Sequence, residues 1–233
     1  MGMPDNPTTK DKIFFAAVRL FSRDGYDQAT VRDICREAGT ANATAVNYYF
    51  GSKAKLYKAI LDMVFAENLR RRTEQEKAQP SNGLSPKAKL RRFLTIMVEV
   101  GFSDHPVAKD ITTIVLREMM SPSQHLDDLV EQFTRPDNEE LSGIIREILG
   151  EDAPDFLIRD SLASVGGQIF YYLAFWPVFS RVYPEHPGIS KYQEPLIDHI
   201  MRFSMAGLTA TRDALEKGEI PPLLTARGNN DTA

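Results

Sequence analysis

Three glycines, Gly25, Gly39 and Gly51, cut the start of this chain into pieces too short for anything but small helices. A glycine just past a periodic segment ends a helix because it enters left-handed backbone conformations without a steric penalty. Before Gly25, the residues Ile13, Phe14, Ala17, Val18, Leu20 and Phe21 recur at helical spacing with Lys12, Arg19 and Arg23 between them, which predicts an amphipathic helix over 10–23. Thr30 followed by Asp33 supplies a hydroxyl and a carboxylate for the free N–H groups of a helix start. A second helix is therefore expected over 31–38, with Val31, Ile34, Cys35 and Ala38 facing inward. After a turn over 40–44, Ala45, Val46, Tyr48, Tyr49 and Phe50 make a brief third helix, and Ser52 caps a long fourth one whose Leu56, Ala59, Ile60, Met63 and Val64 repeat at helical intervals.

Two short helices joined by a tight turn and braced by a preceding helix form a helix-turn-helix, which lets one helix enter a DNA major groove while its neighbour rests on the backbone. The residue types suit that use. Asn42, Thr44, Asn47, Tyr48 and Tyr49 have polar or aromatic tips that can reach phosphates, base edges or thymine methyls. Thr30 at one helix start, and Ser52 with Lys53 at another, place N–H groups, hydroxyls and an ammonium where phosphates bind. Tyr48 and Tyr49 point about 100° apart on a helix and cannot both enter one core stripe. Arg70, Arg71 and Arg72, late on the long helix, read as a solvated face rather than a second DNA contact.

The net charge of −4 speaks against a nucleic-acid binder until its distribution is considered. Residues 1–72 hold 12 Lys and Arg against 8 Asp and Glu, and residues 73–233 hold 16 against 24. A basic head thus precedes an acidic body. The sharpest compositional break is the Pro, Ser, Asn and Gly cluster over 80–85. Further helices are expected over 86–102, 107–120, 125–133, 138–149, 155–175 and 192–215, punctuated by prolines. No stretch alternates with the period of a strand, so the fold class is all-α. The segment 218–233, with Pro221-Pro222 and a polar end, is expected to be a loose tail.

Other functions find less support. Ile169–Phe179 is the longest aromatic-aliphatic run and falls short of the roughly 20 residues of a membrane span, so it reads as buried core. The polar N-terminus has no targeting pattern, and the lone Cys35 fits a reducing compartment, the cytoplasm. Cys35 lies on an apolar stripe, where a small core residue is favoured over a redox switch. His105, His125, His186 and His199 lack metal-ligand spacing, so neither a metal nor a cofactor is expected. The chain has no nucleophile elbow, phosphate-binding loop, zinc-protease or dinucleotide motif, so no enzyme is expected.

The runs T-V-R-D-I-C-R-E-A-G and A-V-N-Y-Y-F-G-S-K-A-K-L-Y, within residues 10–65, resemble the TetR family of transcriptional regulators. The resemblance implies that the helix after the turn reads the major groove. It also implies that Tyr48 and Tyr49 are its aromatic pair, Phe50 a core anchor and Lys53 a phosphate-binding lysine. Gly39 to Phe50 is one residue longer than the family spacing, which leaves the contact positions of Asn42, Ala43 and Thr44 open. Leu116–Asp127 and Gly167–Pro184 are similar to the C-terminal domain of the CecR-like branch. That similarity implies a small-molecule effector and a homodimer built on an antiparallel pair of late helices, here 155–175 and 192–215. Gly166-Gly167 fits close helix contact there, though contact within one chain would account for it as well.

The expected organisation is a head over 1–52, an effector-binding and dimerisation body over 53–217, and the tail. Phe102, Leu116, Arg117, Met120, Phe170, Tyr171, Phe175 and Trp176 are the candidate ligand residues. Arg117 and Glu118 inside an apolar stretch could orient a polar ligand, pair with each other or lie at the surface. The expected function is ligand-responsive repression from a pseudo-palindromic operator. The alternative is a helical protein-binding or enzymatic module that leaves DNA alone.

Overall fold

The computed structural model describes residues 4, 6–40, 42 and 44–220, and among these residues the regular structure is entirely helical. Residues 221–233, most of the expected tail, and Ala43 lie outside the described residues. The helices are α1 (Thr9–Asp24), α2 (Val31–Glu37), α3 (Ala45–Phe50), α4 (Lys53–Ala78), α5 (Pro86–Gly101) and α6 (Pro106–Met120). A short α7 (Leu126–Leu129), a π-helical turn (Val130–Thr134), α8 (Arg135–Leu149), α9 (Asp155–Val182), a 3-10 turn (Ile189–Lys191) and α10 (Gln193–Glu216) follow.

Caps set the starts. Thr8 opens α1 with a full capping box, its hydroxyl taking the Asp11 N–H while Asp11 returns a bond to the Thr8 N–H. Thr30, Ser52 and Ser85 accept from the third residue of α2, α4 and α5 in the same manner. Gly25, Gly39 and Gly51 all have positive φ, the conformation their terminator role requires.

Prolines interrupt the chain less than expected. A break at Pro136 was anticipated, but the helix runs on from Leu126 to Leu149 because a π turn precedes Pro136, which sits in the first turn of α8. The wider turn accommodates a residue that has no N–H and would crowd the carbonyl four positions back. Likewise α9 passes through Pro177 to Val182 instead of stopping near Phe175. Packing beyond the proline offsets its cost of about 3 kcal/mol: the Phe179 ring meets Tyr172 at 5.1 Å and Trp176 at 5.6 Å.

At 28 residues α9 is long and apolar enough, by length and composition, to cross a membrane, contrary to the shorter span expected. Its inner residues Ile158, Val165 and Ile169 instead pack into a core with α5, α8 and α10. The expectation that the whole Ile169–Phe179 run is buried does not hold, since Phe170, Tyr171 and Phe175 are exposed.

Two apolar cores divide the chain differently from its composition. One joins α5, α8, α9 and α10. The other holds Ile13, Val18, Phe21, Ile34, Cys35, Val46, Leu56 and Ile60 of the first four helices, together with Ile114 and Val115 of α6 and Leu129 of α7. Helix α6 lies far along the chain, yet its buried residues complete the core of the head.

Candidate nucleic-acid interface

Helix α3 is six residues long and two-sided. Ala45 and Val46 are buried, while Asn47 is exposed, Tyr49 is 38% exposed and Tyr48 is 82% exposed. The two tyrosine rings meet edge to face at 4.9 Å, so each limits the swing of the other. Phe50 turns inward against Phe14, with the Lys10 ammonium 5.6 Å from its ring centroid. Ahead of the helix, the Asn42 side-chain oxygen accepts from the Thr44 N–H at 2.8 Å and the Thr44 hydroxyl at 2.6 Å. This turn uses the side-chain oxygen of the Asn42 amide and neither of its N–H donors.

Thr30 is exposed at the start of α2, where its hydroxyl donates to Asp33 at 2.6 Å. That bond, with the Arg36 guanidinium nearby, holds the Asp33 carboxyl below the usual carboxylate range. Lys53, expected to bind phosphate, is half-buried and already has partners. Its ammonium donates to the Tyr26 carbonyl at 2.8 Å and the Ala29 carbonyl at 3.1 Å, and it lies 4.3 Å from the Tyr26 ring centroid. At most one of its N–H bonds remains for a phosphate. Among the described residues Arg32 and Lys55, both exposed, form no ion pair, whereas Arg19, Arg23, Arg36 and Lys58 do. Arg32 and Lys55 escaped sequence reasoning because a single cation on a polar face has no spacing to mark it.

The expected ligand residues separate into groups. Phe102, Leu116 and Trp176 come together around a 410 Å³ cavity between α5, α6 and α9, joined there by Tyr172, Leu173 and Ile189. Asp104 and Lys109 sit at its rim, where the Ser190 hydroxyl and the Lys109 ammonium hold the Asp104 carboxyl below its ordinary range. Phe170, Tyr171 and Phe175 do not line it, because positions 169, 172, 173 and 176 form the inward face of α9 and 170, 171 and 175 fall on the opposite one. Met120, at the end of α6, is 66% exposed.

Arg117 also stands away from the cavity, since its guanidinium donates to the Ser22 and Arg23 carbonyls at 2.9 Å each, capping the C-terminal end of α1. Its neighbour Glu118 is 2% exposed and accepts from the Tyr57 hydroxyl at 2.9 Å and the Ser123 N–H at 2.8 Å. Burial and that bond push the Tyr57 phenol well above its ordinary range. The end of α6 is thereby tied to both α1 and α4. A larger cavity of 640 Å³ between α4, α5 and α8 is lined by charges that already pair with one another, such as Lys89 with Glu147 and Arg92 with Glu76.

Residues 86–208, more than half of the chain, match the family described as the C-terminal domain of the HTH-type transcriptional dual regulator CecR. Residues 13–60 match the bacterial regulatory proteins of the tetR family. The chain belongs to the TetR family, in its CecR-like branch.

It is a DNA-binding transcriptional regulator. It is similar to the HTH-type transcriptional repressor NicS of Pseudomonas putida, with 27% identity over 154 residues covering 66% of this chain and 68% of that protein. Its fold is also that of HlyIIR, a hemolysin II transcriptional regulator, at a TM-score of 0.56 and 22% identity over 83% of this chain and 95% of that one. The regulator FadR from Bacillus subtilis, solved with stearoyl-CoA, superimposes at a TM-score of 0.54 and 18% identity, covering 82% and 96% of the two chains. The helix-turn-helix of this TetR-family chain is α2 and α3, braced by α1 and the first half of α4.

Proposed function

We propose that this regulator is a ligand-responsive repressor that acts in the cytoplasm as a homodimer on a pseudo-palindromic operator. Residues 1–52 serve as its reading head and 53–217 as its effector-binding and dimerising body. The observation that carries the reading is the two-sidedness of α3, which spends Ala45 and Val46 on the core and leaves Asn47, Tyr48 and Tyr49 outward. These three read base edges, while Thr30, Asn42, Thr44 and the exposed Arg32 and Lys55, which form no ion pair among the described residues, hold the flanking phosphates, and Lys53 adds the one N–H that its bonds to the Tyr26 and Ala29 carbonyls leave.

A second copy covers the outer faces of α9 and α10. Gly167, Phe170, Tyr171, Phe175 and Val178 are exposed along α9, and His199, Phe203 and Gly207 along α10. Apolar surface of this extent on adjacent helices marks an interface. A Cβ built at Gly167 or Gly207 meets nothing within 4 Å, so both leave room for a close neighbour. A two-fold axis through this face sets two α3 helices about 34–36 Å apart, one turn of DNA. Repression follows the named activity of NicS, and the stearoyl-CoA in FadR supports a small molecule in the body.

The effector acts through α6. The cavity containing Phe102, Leu116 and Trp176 borders this helix in the body, while Ile114, Val115, Arg117 and Glu118 of the same helix belong to the head. A ligand that shifts α6 therefore shifts the head, and it releases DNA only by binding the shifted state more tightly. Selecting bound fragments from a random DNA pool tests the reading. A two-fold symmetric consensus, bound with an affinity that falls steeply as salt rises, is expected. An asymmetric consensus, or binding indifferent to salt, rejects it.

A further inference from the structure

The cavity between α5, α6 and α9 restricts what can fill it, and the inference below rests on reading it as the effector site. Its 410 Å³ lies near the small end of the roughly 300–1,000 Å³ of ligand pockets. Phe102, Tyr172 and Trp176 supply flat walls. The Trp176 indole is stacked on Phe179 at 5.6 Å and 27°, with His186 edge-on at 5.6 Å, so its plane is set before any ligand arrives. The fixed indole face favours a flat ring over a flexible chain, which must give up rotamer freedom to lie against it.

Charge narrows the class further. Among the described residues lining the cavity, the charged ones are Asp104 and Lys109, which pair with each other at 3.2 Å and are 70% and 61% exposed. An ionised group seated against these walls would find no buried counter-charge to replace the water it gives up. The Thr112 hydroxyl, and the O–H of Ser103, whose oxygen already accepts from the His105 N–H, remain to satisfy a neutral polar group.

We propose that the cavity takes a neutral, planar aromatic compound of one or two fused rings bearing a hydroxyl or carbonyl, rather than a carboxylate or an acyl chain. Trp176 lines this cavity, so Trp176→Leu removes one of its flat walls. The test is calorimetric titration of the full chain with 2-naphthol, 2-naphthoate and decanoate, with Trp176→Leu titrated in parallel. Saturable 2-naphthol binding that Trp176→Leu weakens is expected, with 2-naphthoate about tenfold or more weaker and decanoate weaker still. Leu116→Trp, which fills the cavity, should abolish binding while circular dichroism remains helical. If that variant does not fold, Thr112→Val should weaken 2-naphthol about fivefold. Equal or tighter binding of 2-naphthoate or decanoate, no binding of 2-naphthol, or 2-naphthol binding that Trp176→Leu leaves unchanged overturns the proposal. Operator fragments added to the same samples separate this from the effector reading: 2-naphthol that binds as described yet leaves operator affinity unchanged supports the ligand class and defeats the effector role.

Discussion

Lys53 and Lys55 stand two positions apart at the start of α4 and are put to different uses. The ammonium of Lys53 is held by the Tyr26 and Ala29 carbonyls, so Lys53→Ala should lower stability by about 1–2 kcal/mol, read by urea denaturation. Lys55 is exposed and folds over Gly51, where φ is 83° and a Cβ would come within 3.2 Å of the lysine stem. Lys55→Ala should leave the denaturation midpoint in place and flatten the salt dependence of operator binding by about one unit of slope. Tyr48→Ala should cost about 1–3 kcal/mol of operator affinity in a polarisation titration, with thermal stability unchanged, because its ring has little packing to lose. Helical phase made it legible that Tyr48 and Tyr49 cannot both enter the core, and the structure leaves both of them and Asn47 exposed. The work of Arg117 was not legible, because the carbonyls it caps lie about ninety positions earlier and no local pattern joins them.

At the scale of elements, α6 belongs by sequence to the body and by packing to the head. Ile114→Ala should therefore cost about 2–5 kcal/mol and loosen the head core, seen as faster amide exchange in α1 and α4. The junction of α4 with α8 carries a pH signature. Arg72 pairs with Asp137 and Glu140, and burial nonetheless pushes the Asp137 carboxyl up to about 6. A carboxyl raised on folding binds its proton more tightly in the native state, so its stabilising contribution is present below its ordinary value near 3.8 and is lost as pH rises through about 6. This group alone should make the protein about 1 kcal/mol more stable at pH 5 than at pH 7. Asp137→Asn should remove that part of the slope in denaturation curves taken at the two pH values. The expectation of a solvated face for Arg70, Arg71 and Arg72 holds in part: Arg70 and Arg71 pair with Glu67 at the surface, while Arg72 reaches across to α8.

For the molecule as a whole, the basic head carries the charge opposite to that of DNA, and the acidic body carries the same sign as DNA. The proposed two-fold assembly makes a direct prediction. Phe203 is 67% exposed on α10, and Phe203→Glu places like charges across the axis, so sedimentation equilibrium should find single chains where the parent is a dimer. A dimeric Phe203→Glu protein would remove this face from consideration. The mutant head should still be folded, because its core contains no residue from α10.

By itself the sequence determined the helical fold, the starts of α2 and α4, the short α3 and its outward edge, because caps, glycines and helical phase act over a few residues. The tertiary structure alone decided where α6 packs, which aromatic residues of α9 close a cavity, and that Lys53 is a tie. Each depends on partners far apart in the chain. It also carried helices past Pro136 and Pro177, since local propensity costs only a few kcal/mol and packing across the fold can outweigh it.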